Sequence, residues 1–297
     1  MRILLTFMPA AVIIGIVVLI SVLTYFFRLS KKGRRSPLTR LLLRSPGETL
    51  RKKIEKVSFN IDYYLALLFF LPLMWAVYLS RVNVDFLQAH TSLIAVLTSV
   101  FLAAFIFGIY KVWILLKQRS ALSLGLECEL AVGQELNQLM LKGYRVYHDF
   151  PADRFNIDHI IVGHKGVFAI ETKGRTKPDK EGGTEEAKVI FDGSTLKFPN
   201  WSEVDPIDQT RRQAAWLAEW LSSAVGDPIS VNPVLALPGW YIVNERLSDV
   251  ITFSGKKPDY ILSFSKDTLS ENAIQRIAHQ LEQRCRDVEP GAYSNKT

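Results

Sequence analysis

Two neighbouring apolar segments carry charged side chains at positions where those groups could do chemistry. Asn156–Gly163 contains Asp158, and Gly166–Lys173 contains Glu171 and Lys173. Side chains alternate between the two faces of a β-strand, so Glu171 and Lys173 are predicted to share a face. Two carboxylates and an amine that converge from adjacent strands can hold a divalent metal and position a water molecule for phosphodiester hydrolysis. The pattern therefore predicts a metal-dependent hydrolytic site on a pair of strands.

Each of these charged residues also has a purely structural interpretation. Asp158 could cap a turn, and Glu171 with Lys173 could form the solvated face of an edge strand. Val167–Ile170, however, is apolar on both faces, which is typical of a central strand, where two charged groups require a reason. His159 alternates to the face opposite Asp158 and is predicted to be structural.

Charge is divided unevenly along the 297 residues. Residues 1–116 contain 14 Lys and Arg against 4 Asp and Glu, whereas residues 117–297 contain 22 against 25. The overall pI near 9.3 therefore comes from the first part, and it is not a nucleic-acid-binding signature of the second. Cys128 and Cys285 lack the spacing of a metal site and are interpreted as free thiols.

Three long apolar runs predict an all-α membrane region in residues 1–116. The spans are expected at about 3–27, 63–80 and 92–116, because roughly 20 apolar residues cross a hydrocarbon core. A cleaved signal peptide is the alternative for the first run, but that run is longer than a typical signal core and a basic loop follows it.

The basic loop predicts how the chain crosses the bilayer. Arg28–Lys56 holds eleven Lys and Arg against Glu48 and Glu55, which favours a cytoplasmic loop over residues 28–60. The N-terminus is then outside, and residues 117–297 form a cytoplasmic domain on a bacterial inner (cell) membrane. Within the loop a basic helix is expected over Pro46–Val57, capped by Ser45. This helix could lie against anionic lipid or could act as an arm that holds DNA.

From Gly125 onward the pattern indicates a soluble α/β domain. The charged segment Lys177–Ala187 is expected to be a mobile loop, and the tail after Pro290 is expected to fray. Helices are predicted over Glu127–Lys142, Pro206–Val225 and Ser270–Arg286. Strands are predicted from Arg145, over the two segments described above, over Val189–Phe191, Leu196–Phe198, Val231–Leu237 and Trp240–Val243, and over Tyr260–Phe264.

Residues 125–240 resemble the nuclease-related domain (NERD) family, a branch of the PD-(D/E)xK restriction-endonuclease-like fold. The resemblance depends on the order and spacing of several blocks. They are Gly125-Leu-Glu-Cys-Glu129-Leu-Ala-Val132-Gly133, Asn156-Ile-Asp158-His159, Gly166-Val-Phe-Ala-Ile-Glu171-Thr-Lys173, Phe191-Asp-Gly193, Asp208-Gln209-Thr-Arg211-Arg212-Gln213 and Val231-Asn-Pro-Val-Leu235. It implies a mixed sheet flanked by helices, and it does not extend to the membrane spans.

The resemblance assigns expected roles to the residues that would bind metal. Asp158 and Glu171 would ligate Mg²⁺ or Mn²⁺, and the carbonyl of Thr172 is a further ligand. Glu129 would complete the metal shell through water, although Glu127 and Glu135 lie close to it in the sequence and surface charge is an open alternative.

The remaining expected roles concern the substrate. Lys173 would orient the attacking water and counter the developing charge. Gln209 resembles the family glutamine that holds the substrate or water, with ordinary helix surface as the alternative. Arg211, Arg212 and Arg175 are expected to contact phosphates of a nucleic acid.

Together these features predict a membrane-anchored, metal-dependent nuclease that acts on DNA. The alternative is a non-catalytic nucleic-acid-binding module, scaffold or sensor built on the same fold. The joint presence of Asp158, Glu171 and Lys173 favours the enzyme, because a binding module would tolerate their loss.

Overall fold

The structure is a computed structural model that describes Gly15 and residues 18–27, 37–82, 84–178, 187–265 and 269–290. The chain divides into two compact units, Met1–Leu43 with Arg286–Thr297, and Arg44–Cys285. The first unit contains the helix Val18–Phe27 and a short antiparallel pair, β1 (Leu42–Leu43) with β11 (Arg286–Val288). Most of the predicted loop Lys177–Ala187, and the tail after Pro290, lie outside the described residues.

In the second unit, two helices are long and apolar enough to cross a membrane, α1 (Glu48–Arg81) and α3 (Thr91–Asn137). The short helix α2 (Val84–Ala89) lies between them. Three spans were predicted. Among the described residues, the structure supports two of them by length and composition. Only Gly15 and residues 18–27 of the first predicted span are described.

The predicted basic helix Pro46–Val57 is wrong at both ends. The helix begins at Glu48 after Gly47, whose φ of 70° is left-handed, and it continues unbroken to Arg81. Ser45 therefore does not cap the helix, and its hydroxyl donates instead to Glu48 Oε2 at 3.1 Å. The basic turns and the apolar span are thus one helix, because no helix-breaking residue separates them before Pro72.

The third helix extends well beyond its apolar part. At 1.5 Å per residue its 47 residues measure about 70 Å, more than twice the roughly 30 Å of a hydrocarbon core. The predicted domain boundary between residues 116 and 117 falls inside this helix and stays a prediction. Close packing between α1 and α3 occurs at Gly108, where an added Cβ would lie 2.9 Å from Leu68 Cδ2.

A five-stranded mixed sheet forms the centre of the α/β domain. Its strands are β2 (Arg145–Pro151), β3 (Asn156–Gly163), β4 (Gly166–Thr172), β8 (Val231–Ala236) and β10 (Ile251–Phe253), in the order β10-β8-β4-β3-β2. The strands β2, β3 and β4 are antiparallel, whereas β4, β8 and β10 are parallel. The strand β4 is therefore central, as its apolar pattern predicts.

Helices cover both faces of this sheet. Helices α4 (Asp205–Val225) and α6 (Glu271–Cys285) pack on the face that carries Ile160 and Ala169. The last turns of α3 cover the other face, where Ile161 and Ile170 are buried. This division follows the period-two alternation of the strands, and it decides which helix meets each charged side chain.

A second mixed sheet of four short strands flanks the first. Its members are β5 (Lys188–Phe191), β6 (Leu196–Lys197), β7 (Ser202–Glu203) and β9 (Tyr241–Asn244). The predicted strand Tyr260–Phe264 is wrong, because the short helix α5 (Asp259–Leu262) occupies most of that range. Its apolar residues Ile261 and Leu262 are buried against the sheet, and a four-residue segment can bury two such side chains as one helical turn.

Candidate active site

An open cleft of about 710 Å³ lies where β3 begins and β4 ends. Its walls carry five carboxylates and three basic side chains, Lys53, Arg154 and Lys173. The acids are Glu129, Asp149, Asp153, Asp158 and Glu171. Acids grouped in this way repel one another, and that repulsion raises the free energy of the site unless cations or protons offset it.

Asp158 and Glu171 lie on the same face of the sheet. His159 is paired with Ile170 across β3 and β4, so Asp158 and Glu171 are the next opposed residues, and opposed residues of antiparallel strands share a face. The backbone N–H of Thr172 donates to Asp158 Oδ2 at 2.7 Å. This bond fixes the aspartate against the end of β4.

Glu171 is held by donors from its own strand end and from helix α4. Lys173 Nζ lies 2.5 Å from Glu171 Oε1, which also accepts from Gln209 Nε2 at 2.7 Å. Gln209 Oε1 in turn accepts from Lys173 Nζ at 2.9 Å. Glu171 and Lys173 therefore share a face as predicted, and the structure brings Gln209 into contact with both.

Gln213 is a site residue to which the sequence analysis assigns no role. Its Nε2 donates to Glu171 Oε2 at 2.7 Å and to the carbonyl of Asn156 at 3.2 Å. Gln209 and Gln213 are four residues apart and so lie on one face of α4. That spacing is the signal from which Gln213 could have been found.

The electrostatics of the cleft are those of a site with excess negative charge. Burial raises the pKa of the Glu129 carboxyl to about 8, and the neighbouring charges of Asp149 and Glu171 add to this effect. Burial also raises the pKa of Asp158 well above its ordinary value, with further contributions from Glu171 and Glu129. The N–H of Thr172 and the charge of Lys173 oppose that rise.

The donor set fits a hard divalent cation. Glu129 Oε2 is buried and has no hydrogen-bond partner among the residues that the structure describes, and coordination to a cation would satisfy this oxygen. Carboxylate and carbonyl oxygens are the ligands that Mg²⁺ and Mn²⁺ prefer. In the described part of the chain, no three His, Cys, Asp or Glu side chains are already gathered at ligand distances, so the fit depends on the chemistry of the oxygens.

Of the three glutamates on this part of α3, only Glu129 lines the cleft. Glu127 is exposed, and Glu135 accepts a hydrogen bond from Gln138 at 3.0 Å. The structure therefore selects, on geometry, the residue for which the sequence left an alternative.

The three arginines expected at the substrate lie in different surroundings. Arg211 Nη2 lies 2.7 Å from Asp249 Oδ1 and so forms an ion pair with that residue. Arg212 is exposed on α4. Arg175 Nη2 lies 2.6 Å from Glu203 Oε2, beside Lys173 in an adjoining cleft of about 360 Å³.

Two buried histidines lie behind the cleft. His148 Nδ1 and His159 Nδ1 are 2.9 Å apart, and the other nitrogen of His148 lies 3.0 Å from Asn137 Oδ1. Burial lowers the pKa of His148 to about 4 and that of His159 well below its ordinary value. Both rings are therefore neutral near pH 7, and His159 faces away from Asp158 as its position predicts.

Comparison with known proteins gives one similarity, which covers part of the residues around this cleft. Residues 124–238 match the family model described as NERD, nuclease-related domain. The match supports a nuclease-related function for this segment. No curated protein and no solved structure matches the chain.

Proposed function

We propose that this protein is a membrane-anchored, metal-dependent nuclease that hydrolyses phosphodiester bonds of DNA, with a PD-(D/E)xK restriction-endonuclease-like site. The observation that carries the proposal is the meeting of Asp158 and Glu171 on one face, with Lys173 bonded to Glu171. The nuclease-related match over residues 124–238 supports the nuclease part of this proposal.

In this proposal the oxygen ligands and the amine have different roles. Asp158, Glu171 and the carbonyl of Thr172 would hold Mg²⁺ or Mn²⁺, and Glu129 would complete the shell through water. When bound, such an ion lowers the pKa of a coordinated water molecule and offsets charge on the scissile phosphate. Lys173 lies beside Glu171 and counters the negative charge that develops on the phosphate.

The glutamines on α4 position these groups. Gln209 accepts from Lys173 and donates to Glu171, so it fixes the positions of the amine and the carboxylate relative to each other. Gln213 orients the other oxygen of Glu171. Arg212 and Arg175 remain candidates for contacts to phosphates on either side of the scissile bond.

Anchoring in a membrane is supported by two helices of sufficient length and apolar composition. The eleven Lys and Arg against two Glu in Arg28–Lys56 favour a cytoplasmic domain on the inner membrane of a bacterium. Because α3 runs from its apolar part into the domain as one helix, the cleft would be held close to the bilayer surface. A reporter fused to the C-terminus tests this orientation, and an external reporter would refute it.

The test of the proposal uses the full chain in detergent or nanodiscs. Single-stranded DNA, duplex DNA and RNA are incubated with Mg²⁺, Mn²⁺ or EDTA, and the wild type is compared with Lys173→Ala and Asp158→Asn. Lys142 and Asp259 form an exposed ion pair at 2.6 Å, so Lys142→Ala and Asp259→Asn are matched controls. We expect cleavage of DNA that EDTA abolishes, and a loss of roughly 100- to 1000-fold in Lys173→Ala, the scale for removing one electrostatic stabiliser.

The outcomes separate the enzyme from the non-catalytic module. Cleavage that survives both site substitutions would refute the assigned site. Binding to nucleic acid without cleavage of any substrate would favour the non-catalytic binding or scaffold function. Cleavage of RNA alone would leave the hydrolytic site in place and correct the substrate.

A further inference from the structure

The segment that precedes the first long helix is tied into the cleft wall. Arg44 Nη1 lies 2.8 Å from Asp149 Oδ2, which also accepts from the backbone N–H of Thr49 at 2.9 Å and from its hydroxyl at 2.7 Å. Asn156, two residues before Asp158, donates to Asp149 Oδ1 at 3.0 Å. One buried carboxylate thus joins the start of α1 to the strand that carries a predicted metal ligand.

Close packing fixes the same segment against α3. A Cβ at Gly133 would lie 2.7 Å from Pro46 Cγ, and one at Gly47 would lie 2.2 Å from Leu126 Cδ1. There is room for this segment only because both positions lack a side chain. Its approach to the cleft is therefore set by contacts on two sides.

Helical spacing decides which basic residue of α1 faces the cleft. Thr49 and Lys53 are four residues apart and share a face, and both line the cleft with Leu50. Lys52 instead lies 3.5 Å from Glu48 Oε1, and Arg51 lies 3.5 Å from Glu48 Oε2. The basic turns thus present Lys53 to the cleft, whereas Lys52 and Arg51 have a carboxylate partner of their own.

The two lysines of the cleft differ in their partners within the protein. Lys173 is engaged by Glu171 and Gln209. Lys53 makes no salt bridge with any residue in the described ranges. A cleft lined by five acids repels a polyanion, so a nucleic-acid strand that enters it requires cations at the rim. A lysine on a flexible stem serves as a point charge for a phosphate.

We propose that Lys53 contacts a phosphate of the nucleic-acid substrate, and that the first two turns of α1 form one wall of the substrate-binding cleft. This proposal rests on the proposed function and extends it to a residue outside the matched range 124–238. Arg154, which also lines the cleft, supplies a second rim cation. Because α1 continues to Arg81, the same helix carries both the wall and an apolar span.

The experiment measures nucleic-acid binding by the full chain in nanodiscs, so that it does not depend on turnover. Fluorescence anisotropy with labelled single-stranded and duplex DNA compares Lys53→Ala and Lys53→Glu with the matched variants Lys52→Ala and Lys52→Glu. Removal of one phosphate contact lowers the slope of log K against log salt by about 0.9 on duplex or 0.7 on single strands. At 0.1 M salt this corresponds to a loss of roughly five- to tenfold in affinity. The Lys52 variants should stay within about twofold of the wild type, because that side chain lies outside the cleft.

Equal effects of the Lys52 and Lys53 substitutions, or no change in the salt slope for Lys53→Ala, would overturn the inference. If the wild type cleaves DNA and Lys173→Ala abolishes cleavage while Lys53 variants bind normally, only the inference fails and the proposed function stands. If the wild type neither binds nor cleaves nucleic acid, both fail. Loss of binding to anionic vesicles in place of DNA would assign Lys53 to the membrane surface and likewise overturn the proposal. Circular dichroism and thermal unfolding verify that each variant is folded.

Discussion

Replacement of Asp149 by alanine should lower the unfolding temperature of the domain far more than replacement of an exposed aspartate. The Asp149 side chain is about 3% exposed and its partner Arg44 about 13%. Truncation would remove the carboxylate that lies against the Arg44 guanidinium and that accepts from the Thr49 N–H and hydroxyl. Removal of one partner of a buried ion pair costs about 3–5 kcal/mol.

Conformation at this position adds to the cost. Asp149 has a φ of 48°, a left-handed conformation that aspartate tolerates better than alanine, because its short polar side chain can bond locally. Since 1 kcal/mol shifts the midpoint of a domain of 150–250 residues by about 2–4 °C, the variant should unfold roughly 6–20 °C below the wild type.

The assay is thermal unfolding of the full chain in one detergent, followed by tryptophan fluorescence. Asp259→Ala is the matched control, because Asp259 forms an exposed pair with Lys142 and such pairs contribute about 0–1 kcal/mol. If Asp149→Ala unfolds within about 3 °C of Asp259→Ala, then Asp149 does not hold α1 against the sheet, and the reasoning about the cleft wall is wrong.

Three further predictions concern single contacts. Gln213→Leu leaves the buried Glu171 Oε2 without its donor and should lower the stability by about 1–3 kcal/mol, measured by urea unfolding. Glu129→Gln should raise the unfolding temperature at pH 8.5 and leave it unchanged at pH 4, with EDTA present. The pKa of this carboxyl rises from 4.5 to about 8 on folding, and such a group destabilises the folded state increasingly as the pH rises between those values. An equal effect at both pH values would contradict this. Gly163→Ala would place a Cβ 2.2 Å from Tyr144 Cδ1 and should cost about 1–3 kcal/mol, part of which the added substitution Tyr144→Leu should restore.

Local patterns were sufficient for the central hairpin. Apolar composition and period-two alternation over Asn156–Gly163 and Gly166–Lys173 predict both strands. The first has the predicted bounds, and the second ends one residue earlier, at Thr172. The same alternation places Asp158 and Glu171 on one face once the strands pair in antiparallel register. Helix α4 was likewise predicted to within one residue, because an apolar face, a proline in the first turn and a terminal glycine are all local signals.

Local patterns failed where a short segment takes its conformation from its neighbours. Ile251–Phe253 is a strand only because it extends the sheet beside β8, and three residues are too few to show a period. Tyr260–Phe264 is as apolar as a strand, but α5 forms there. The sequence predicted two separate segments where the structure has the single helix α1. The change from basic to apolar residues suggested a boundary, although helix propensity is continuous across that change.

The sequence by itself determined that Glu171 and Lys173 share a face, because side chains two residues apart on a strand point the same way. Tertiary structure alone decided what surrounds them. Gln213 reaches Glu171 across 42 positions, and Arg44 reaches Asp149 across 105. Contacts over such separations depend on how helices and sheet pack and not on the conformation of either segment alone. For the same reason, the role of Lys53 as part of the cleft could be inferred only from the folded molecule.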